Sequence, residues 1–373
     1  MGSAGREVIR DIGPRGRVPL LMLGFASLFV GVGAGLTRLG WSFPLPSAEL
    51  SALHGPLMVS AFFGTVISLE RAVALARRWA YLGPLFTGLG GAAALLGAPL
   101  APVAALTVAG SAVLLGASVK IYRRQRELFT LTLALGAASW TLGNLLWLAG
   151  QPVPTLVPWW MAFLVLTIAG ERLELSRLLP PSPTAKRVFA ALVVVLLGGV
   201  AASAFAWSAG TLLLGAALAG LALWLMRQDV ARHTVKASGL TRFIAVCLLT
   251  GYVWLAVAGF SILASGGLGF GGPAYDAALH AVLLGFVFSM VFGHAPIIFP
   301  AVLRVAVPYH PYFYVPLALL HASLVVRLAG DIALSAEWRA WGGALNAIAL
   351  AAFVLGTIAA VVRGRRKTAA DRE

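Results

Sequence analysis

The chain predicts an all-α integral membrane protein, and three observations carry that class. Hydrophobic residues fill 60% of its 373 positions and charged ones only 11%, with a mean hydropathy of +0.90. Runs of about 20 apolar residues, the length that crosses a bilayer, recur along the whole chain. The basic residues fall on alternate connections between those runs, as the positive-inside pattern requires.

The apolar runs predict twelve transmembrane helices. Their ranges are 18–37, 50–72, 79–99, 102–121, 128–149, 154–174, 187–207, 209–226, 241–265, 276–299, 311–329 and 341–362, with ends good to a few residues. Short connections leave no room for a soluble domain. The expected organisation is one polytopic membrane domain over 1–373, with cytoplasmic tails at 1–17 and 364–373. The first run follows a basic stretch but ends at Arg38-Leu39-Gly40-Trp41, without a small-residue cleavage site, so it reads as an uncleaved helix. Cys247 is the only cysteine and can form no disulfide within one chain.

The net charge of +15 comes from helix ends. With both termini in the cytoplasm, all of the 28 Lys and Arg residues fall inside except Arg38, Arg327 and Arg339. That asymmetry supports an even helix count and attraction to anionic membrane lipid. It argues against nucleic-acid binding, where cations gather on one folded face. The expected location is a bacterial or archaeal (inner) cell membrane.

Two histidines stand out. His54 and His280 each lie near the start of a long apolar run, in helices that run the same way, from outside to inside. They therefore lie at matched depth near the outer surface. An ionisable side chain inside a membrane is costly and marks a functional site by default. A matched pair suggests two ligands on opposite faces of one haem iron. The plainer alternative is a hydrogen bond to a neighbouring helix.

A second polar layer lies towards the inner end. Helix two ends with Glu70-Arg71, helix six with Glu171-Arg172, and helix ten carries His294. Recurrence in every fourth helix groups the twelve into three sets of four. His294 follows His280 by 14 residues, which at about 100° per residue returns to within roughly 40° of the same face, about 21 Å deeper. Glu70, Glu171 and His294 should then converge, with His321 of helix eleven as a fourth member. Such a set suits a divalent transition metal or a proton path; ordinary interfacial charges are the alternative. His310 and His233 fall in inner loops, and Trp159 and Trp160 fit an outer aromatic belt.

The segment His54-Gly55-Pro56-Leu57-Met58 resembles the His-Gly-x-x-Met opening of the second helix in haem-copper oxidase catalytic subunits. In that superfamily this histidine and one in helix ten are the axial ligands of the low-spin haem. The run from His280 to Gly293-His294 more closely resembles the NnrS family, twelve-helix membrane proteins with haem and copper linked to nitric oxide metabolism. The resemblance implies an oxidase-subunit-I-like arrangement and haem b between His54 and His280. It also implies copper or another transition metal as a further cofactor, and a quinol or cytochrome as redox donor. Arg38 and Arg327 are the expected propionate partners.

The departures from the oxidase pattern narrow the function. The high-spin haem ligand, two residues before the low-spin one, is replaced by Ala278, and helices six and seven hold no histidine for copper. The oxygen-reducing binuclear centre is absent. The expectation is a bis-histidine b-type haem protein, redox-active or related to nitric oxide. The alternative from another class is a secondary transporter or a proton- or metal-conducting protein, with the histidines in a relay.

Overall fold

The computed structural model describes residues 11–44 and 47–370. Most of the expected tail at 1–17 and the last residues of that at 364–373 thus lie outside the described residues. The described chain is helical, without strands. Its helices are labelled here α1 (Pro14–Arg38), α2 (Ala48–Leu75), α3 (Leu82–Leu95), α4 (Leu100–Arg124), α5 (Leu128–Leu148) and α6 (Val153–Leu175). They continue as α7 (Pro183–Ala202), α8 (Trp207–Gln228), α9 (Gly239–Ala264), α10 (Pro273–Leu303), α11 (Pro311–Ile332) and α12 (Ala336–Ala370). Eleven of them are long and apolar enough to cross a membrane. The exception is α3, with 14 residues. Gly97, at φ +76°, and Pro99 end it before residue 99, as a left-handed glycine and a following proline do. At the other end α12 runs on to Ala370, so residues 364–370 are helix rather than a free tail.

Helices adjacent in sequence pack together: α1 with α2 and α3, α5 with α6, α7 with α8, α9 with α10, α11 with α12. The last helix also touches the first, and α6 touches α10. The apolar core runs continuously through these contacts.

Two helices do not keep α-helical winding. In α2, residues Leu57–Phe63 form a π-helix; in α10, residues Ala281–Phe288 do the same. The first begins three residues after His54 and the second directly after His280. π-turns are rare and cluster at functional sites. Pro56 lacks an N–H and removes one ordinary helical bond at the change of winding; the α10 run has no comparable breaker. A π-turn advances fewer degrees per residue, so the 100° extrapolation from His280 to His294 does not hold across it. Phe62, Phe63 and Phe288 end the two π-segments and meet there. Phe62 and Phe288 are 6.1 Å apart and nearly parallel, and Phe63 is 5.2 Å from Phe288.

Trp160 is not part of an aromatic belt. It is 2% exposed, because its indole N–H donates to Asn144 Oδ1 at 3.2 Å. Ser60 of the α2 π-segment donates to the same oxygen at 2.9 Å and accepts from Trp140. This network ties α2 to α5 and α6.

Candidate functional site

His54 and His280 face one another across a cavity of about 650 Å³. Their ring centroids are 6.4 Å apart, with the planes within 21° of parallel. Metal–imidazole bonds of about 2.0–2.1 Å, plus a ring radius of roughly 1.2 Å on each side, put two imidazoles on one metal with centroids about 6.4 Å apart. The observed 6.4 Å equals that spacing.

Each imidazole has one nitrogen committed. His54 Nδ1 donates to the Gly31 carbonyl at 2.7 Å and His280 Nδ1 to the Asp276 carbonyl at 2.8 Å. A carbonyl only accepts, so Nδ1 carries a proton in both rings, and in the neutral tautomer Nε2 is the nitrogen with the lone pair. Neither Nε2 has a hydrogen-bond partner among the described residues. This is how a ligating histidine is held by its outer shell. Gly35 gives His54 its place: a Cβ there would lie 2.8 Å from His54 Cε1.

His280 has a second support. Asp276 Oδ1 lies 3.3 Å from its Nδ1. Arg327 grips that carboxylate with two bonds, Nε to Oδ2 at 2.8 Å and Nη2 to Oδ1 at 2.9 Å. Arg327 thus has a carboxylate partner within the protein and acts on His280 through Asp276. Arg38 also lines the cavity and forms no ion pair among the described residues. Sequence reasoning passed over Arg339, which reaches the same cavity wall and lies 3.7 Å from Asp331. The signal was present: the three cations expected outside all line one cavity. Asn346, also missed, lies on this wall. Its Oδ1 accepts from Ser323 at 2.6 Å, while its buried Nδ2 has no partner among the described residues. A buried unpaired donor costs about 1–3 kcal/mol.

The second polar layer divides. Glu70, Glu171 and His294 line one smaller cavity of about 120 Å³. His294 has both nitrogens occupied: Nδ1 donates to Met290 O at 2.7 Å and Nε2 accepts from Arg172 at 3.1 Å. Arg172 also donates to Asp229 at 2.8 Å, and Tyr252 donates to the same carboxylate oxygen at 2.7 Å. His321 lies apart from this cavity, between α9 and α11. Its Nδ1 accepts from Trp254 at 2.9 Å and its Nε2 donates to Thr250 at 3.0 Å. No group of three or more His, Cys, Asp or Glu placed to hold a metal occurs among the described residues.

None of the curated proteins compared with the chain matches it. Residues 17–362 match the family described as "Domain of unknown function (DUF8744)", and the chain belongs to that family.

Proposed function

We infer that the protein is a membrane b-type haem protein in which His54 and His280 are the two axial ligands. The observation that carries this is their 6.4 Å ring separation, with Nδ1 of each bonded to a carbonyl. The cavity has the size of a small-molecule site, and Arg38, Arg339 and the unpaired Asn346 amide on its wall suit propionate carboxylates. Bound there, a six-coordinate haem supplies one-electron transfer between ferric and ferrous states. His54 and His280 would hold such a group through their Nε2 atoms, each ring being fixed by its Nδ1–H bond to a carbonyl. Asp276 sets the donor strength of His280. With Ala278 at the position of the oxidase's high-spin ligand, the reading is an electron-transfer or nitric-oxide-related protein without oxidase turnover.

The reading extends to topology. α3 with the 3₁₀ turn Arg78–Tyr81 before it measures about 21 Å plus about 8 Å, close to the roughly 30 Å hydrocarbon thickness. It serves as the third of twelve spans in three groups of four, with both termini in the cytoplasm of a bacterial or archaeal cell and the histidine cavity towards the outer surface. The deciding experiment is a pyridine haemochrome assay of the purified protein with metal analysis. The expected result is one haem b per chain. Colourless protein without iron would end this reading and leave the transporter alternative.

A further inference from the structure

We propose that Asp331 is held as a neutral carboxylic acid donating to the Asp276 carboxylate, and that it releases and regains this proton as the haem of the preceding section is oxidised and reduced. The second half rests on that haem reading; the first stands on the side chains alone. Asp331 is the penultimate residue of α11 and is 3% exposed. Neither of its carboxyl oxygens has a hydrogen-bond partner among the described residues. Arg339 Nη1 is 3.7 Å from Asp331 Oδ1, too far for a hydrogen bond. A buried carboxylate that is ionised and lacks donors is costly.

The neighbour of Asp331 is a second carboxyl. Asp276 lies within hydrogen-bond reach of it. Of the two, Asp276 is the one built to be ionised. Arg327 donates to both of its oxygens, at 2.8 and 2.9 Å, and His280 Nδ1 lies 3.3 Å from Oδ1. Two carboxylates have no donor between them and repel one another. One proton on Asp331 turns the contact into an O–H···O⁻ bond, a short and strong type. Charge balance points the same way. The charged groups that face Asp331 are Asp276 from α10, Arg327 from α11 and Arg339 from α12; Glu337 of α12 is exposed. Asp276 matches Arg327, so a neutral Asp331 leaves the Arg339 charge on the histidine cavity wall to a cofactor carboxylate.

Position ties this proton to the iron. Asp331 meets Asp276, and Asp276 supports His280. Reduction of ferric to ferrous iron adds one electron and removes one positive charge from the centre. That loss favours a proton on Asp331, and the charge regained on oxidation favours its release. The balance is one electron to the iron and, where Asp331 titrates, one proton from water to its carboxylate oxygen. The connection from α11 to α12 begins two residues after Asp331, and Leu334 within it is 79% exposed. Asp331 thus stands at the end of its helix, where exchange with water needs no path through the bundle.

Asp331 acts on the ligand through Asp276 and is a positioning residue, so the test reads potential against pH. Purified haem-loaded protein is titrated with dithionite and redox mediators at a series of pH values. The wild-type midpoint should fall as pH rises, because loss of the Asp331 proton leaves a negative charge that favours ferric iron. Asp331→Asn keeps a donor to Asp276 but cannot titrate. Its midpoint should lose that part of the pH dependence, with haem content and the low-spin spectrum unchanged. Equal slopes in the two proteins, or a flat wild-type midpoint, would overturn the coupling. Infrared spectroscopy reads the proton itself. Wild type should show a carboxylic acid C=O band that shifts in D2O and is missing from Asp331→Asn; identical spectra would overturn the neutral acid. The reduced-minus-oxidised infrared spectrum of wild type does not depend on the variant's folding. A carboxylic acid band gained on reduction is expected, and its absence would overturn the coupling. Colourless protein that keeps the Asp331 band would overturn the haem reading and the coupling with it, and would leave the carboxyl pair standing.

Discussion

Both imidazoles donate Nδ1–H to a carbonyl, but only His280 also has a carboxylate beside it, Asp276 Oδ1 at 3.3 Å, so the two differ in donor strength. A carboxylate behind a ligating histidine raises its basicity, and losing such a partner typically costs 10–100-fold in affinity. Asp276→Asn is therefore expected to weaken haem binding by about 10–100-fold and to raise the midpoint potential, read by haem titration and redox potentiometry. Arg327→Ala strips the Asp276 carboxylate of its neutralising partner and should move the midpoint potential the opposite way, downwards. Unchanged affinity and potential in both variants would remove Asp276 from the ligand's support. Gly35→Ala puts a methyl 2.8 Å from His54 Cε1 and should lower haem content. Gly116→Ala, whose added Cβ meets nothing within 4 Å, should not. At this scale the histidine pair was legible, because two imidazoles in apolar runs are conspicuous. Gly35, Asn346 and Arg339 were not picked out, since their roles arise from contacts between α1, α2, α10 and α12 that no local pattern encodes.

The helices α6, α8 and α9 are joined by buried charge. Arg172 and Asp229 are 4% and 1% exposed and 2.8 Å apart, with Tyr252 completing the set. Removing one partner of a buried pair typically costs about 3–5 kcal/mol, because the other charge is left uncompensated. Asp229→Ala should destabilise the protein by about that amount, whereas Glu174→Ala, at an exposed pair with Arg177, should cost at most about 1 kcal/mol. Thermal unfolding in detergent compares the two, and equal midpoints would refute the buried-pair account. The existence and order of these helices could be read from apolar run length alone. The π-segments could not, because winding is a matter of backbone hydrogen-bond register, on which hydrophobic composition is silent. His294 nonetheless lines one cavity with Glu70 and Glu171, as its position in the sequence led one to expect, whereas His321 belongs with Trp254 and Thr250.

The molecule as a whole is predicted to cross the membrane twelve times, and α3 is where that count is open to test. In a Cys247→Ala background, cysteines replacing Arg78 and Leu96 flank α3. They should react with a membrane-impermeant maleimide from opposite sides. Reaction from the same side would mean eleven spans and place the termini on opposite faces. Charge asymmetry carries the expected topology in the sequence, while the 14-residue length of α3 arose from Gly97 and Pro99 cutting the apolar run short. The central claim, one haem held between α2 and α10, is tested most directly by reduced-minus-oxidised spectra of wild type, His54→Ala and His280→Ala. The account predicts a low-spin b-type spectrum in wild type and its loss in both variants. An unchanged spectrum in either variant would contradict it.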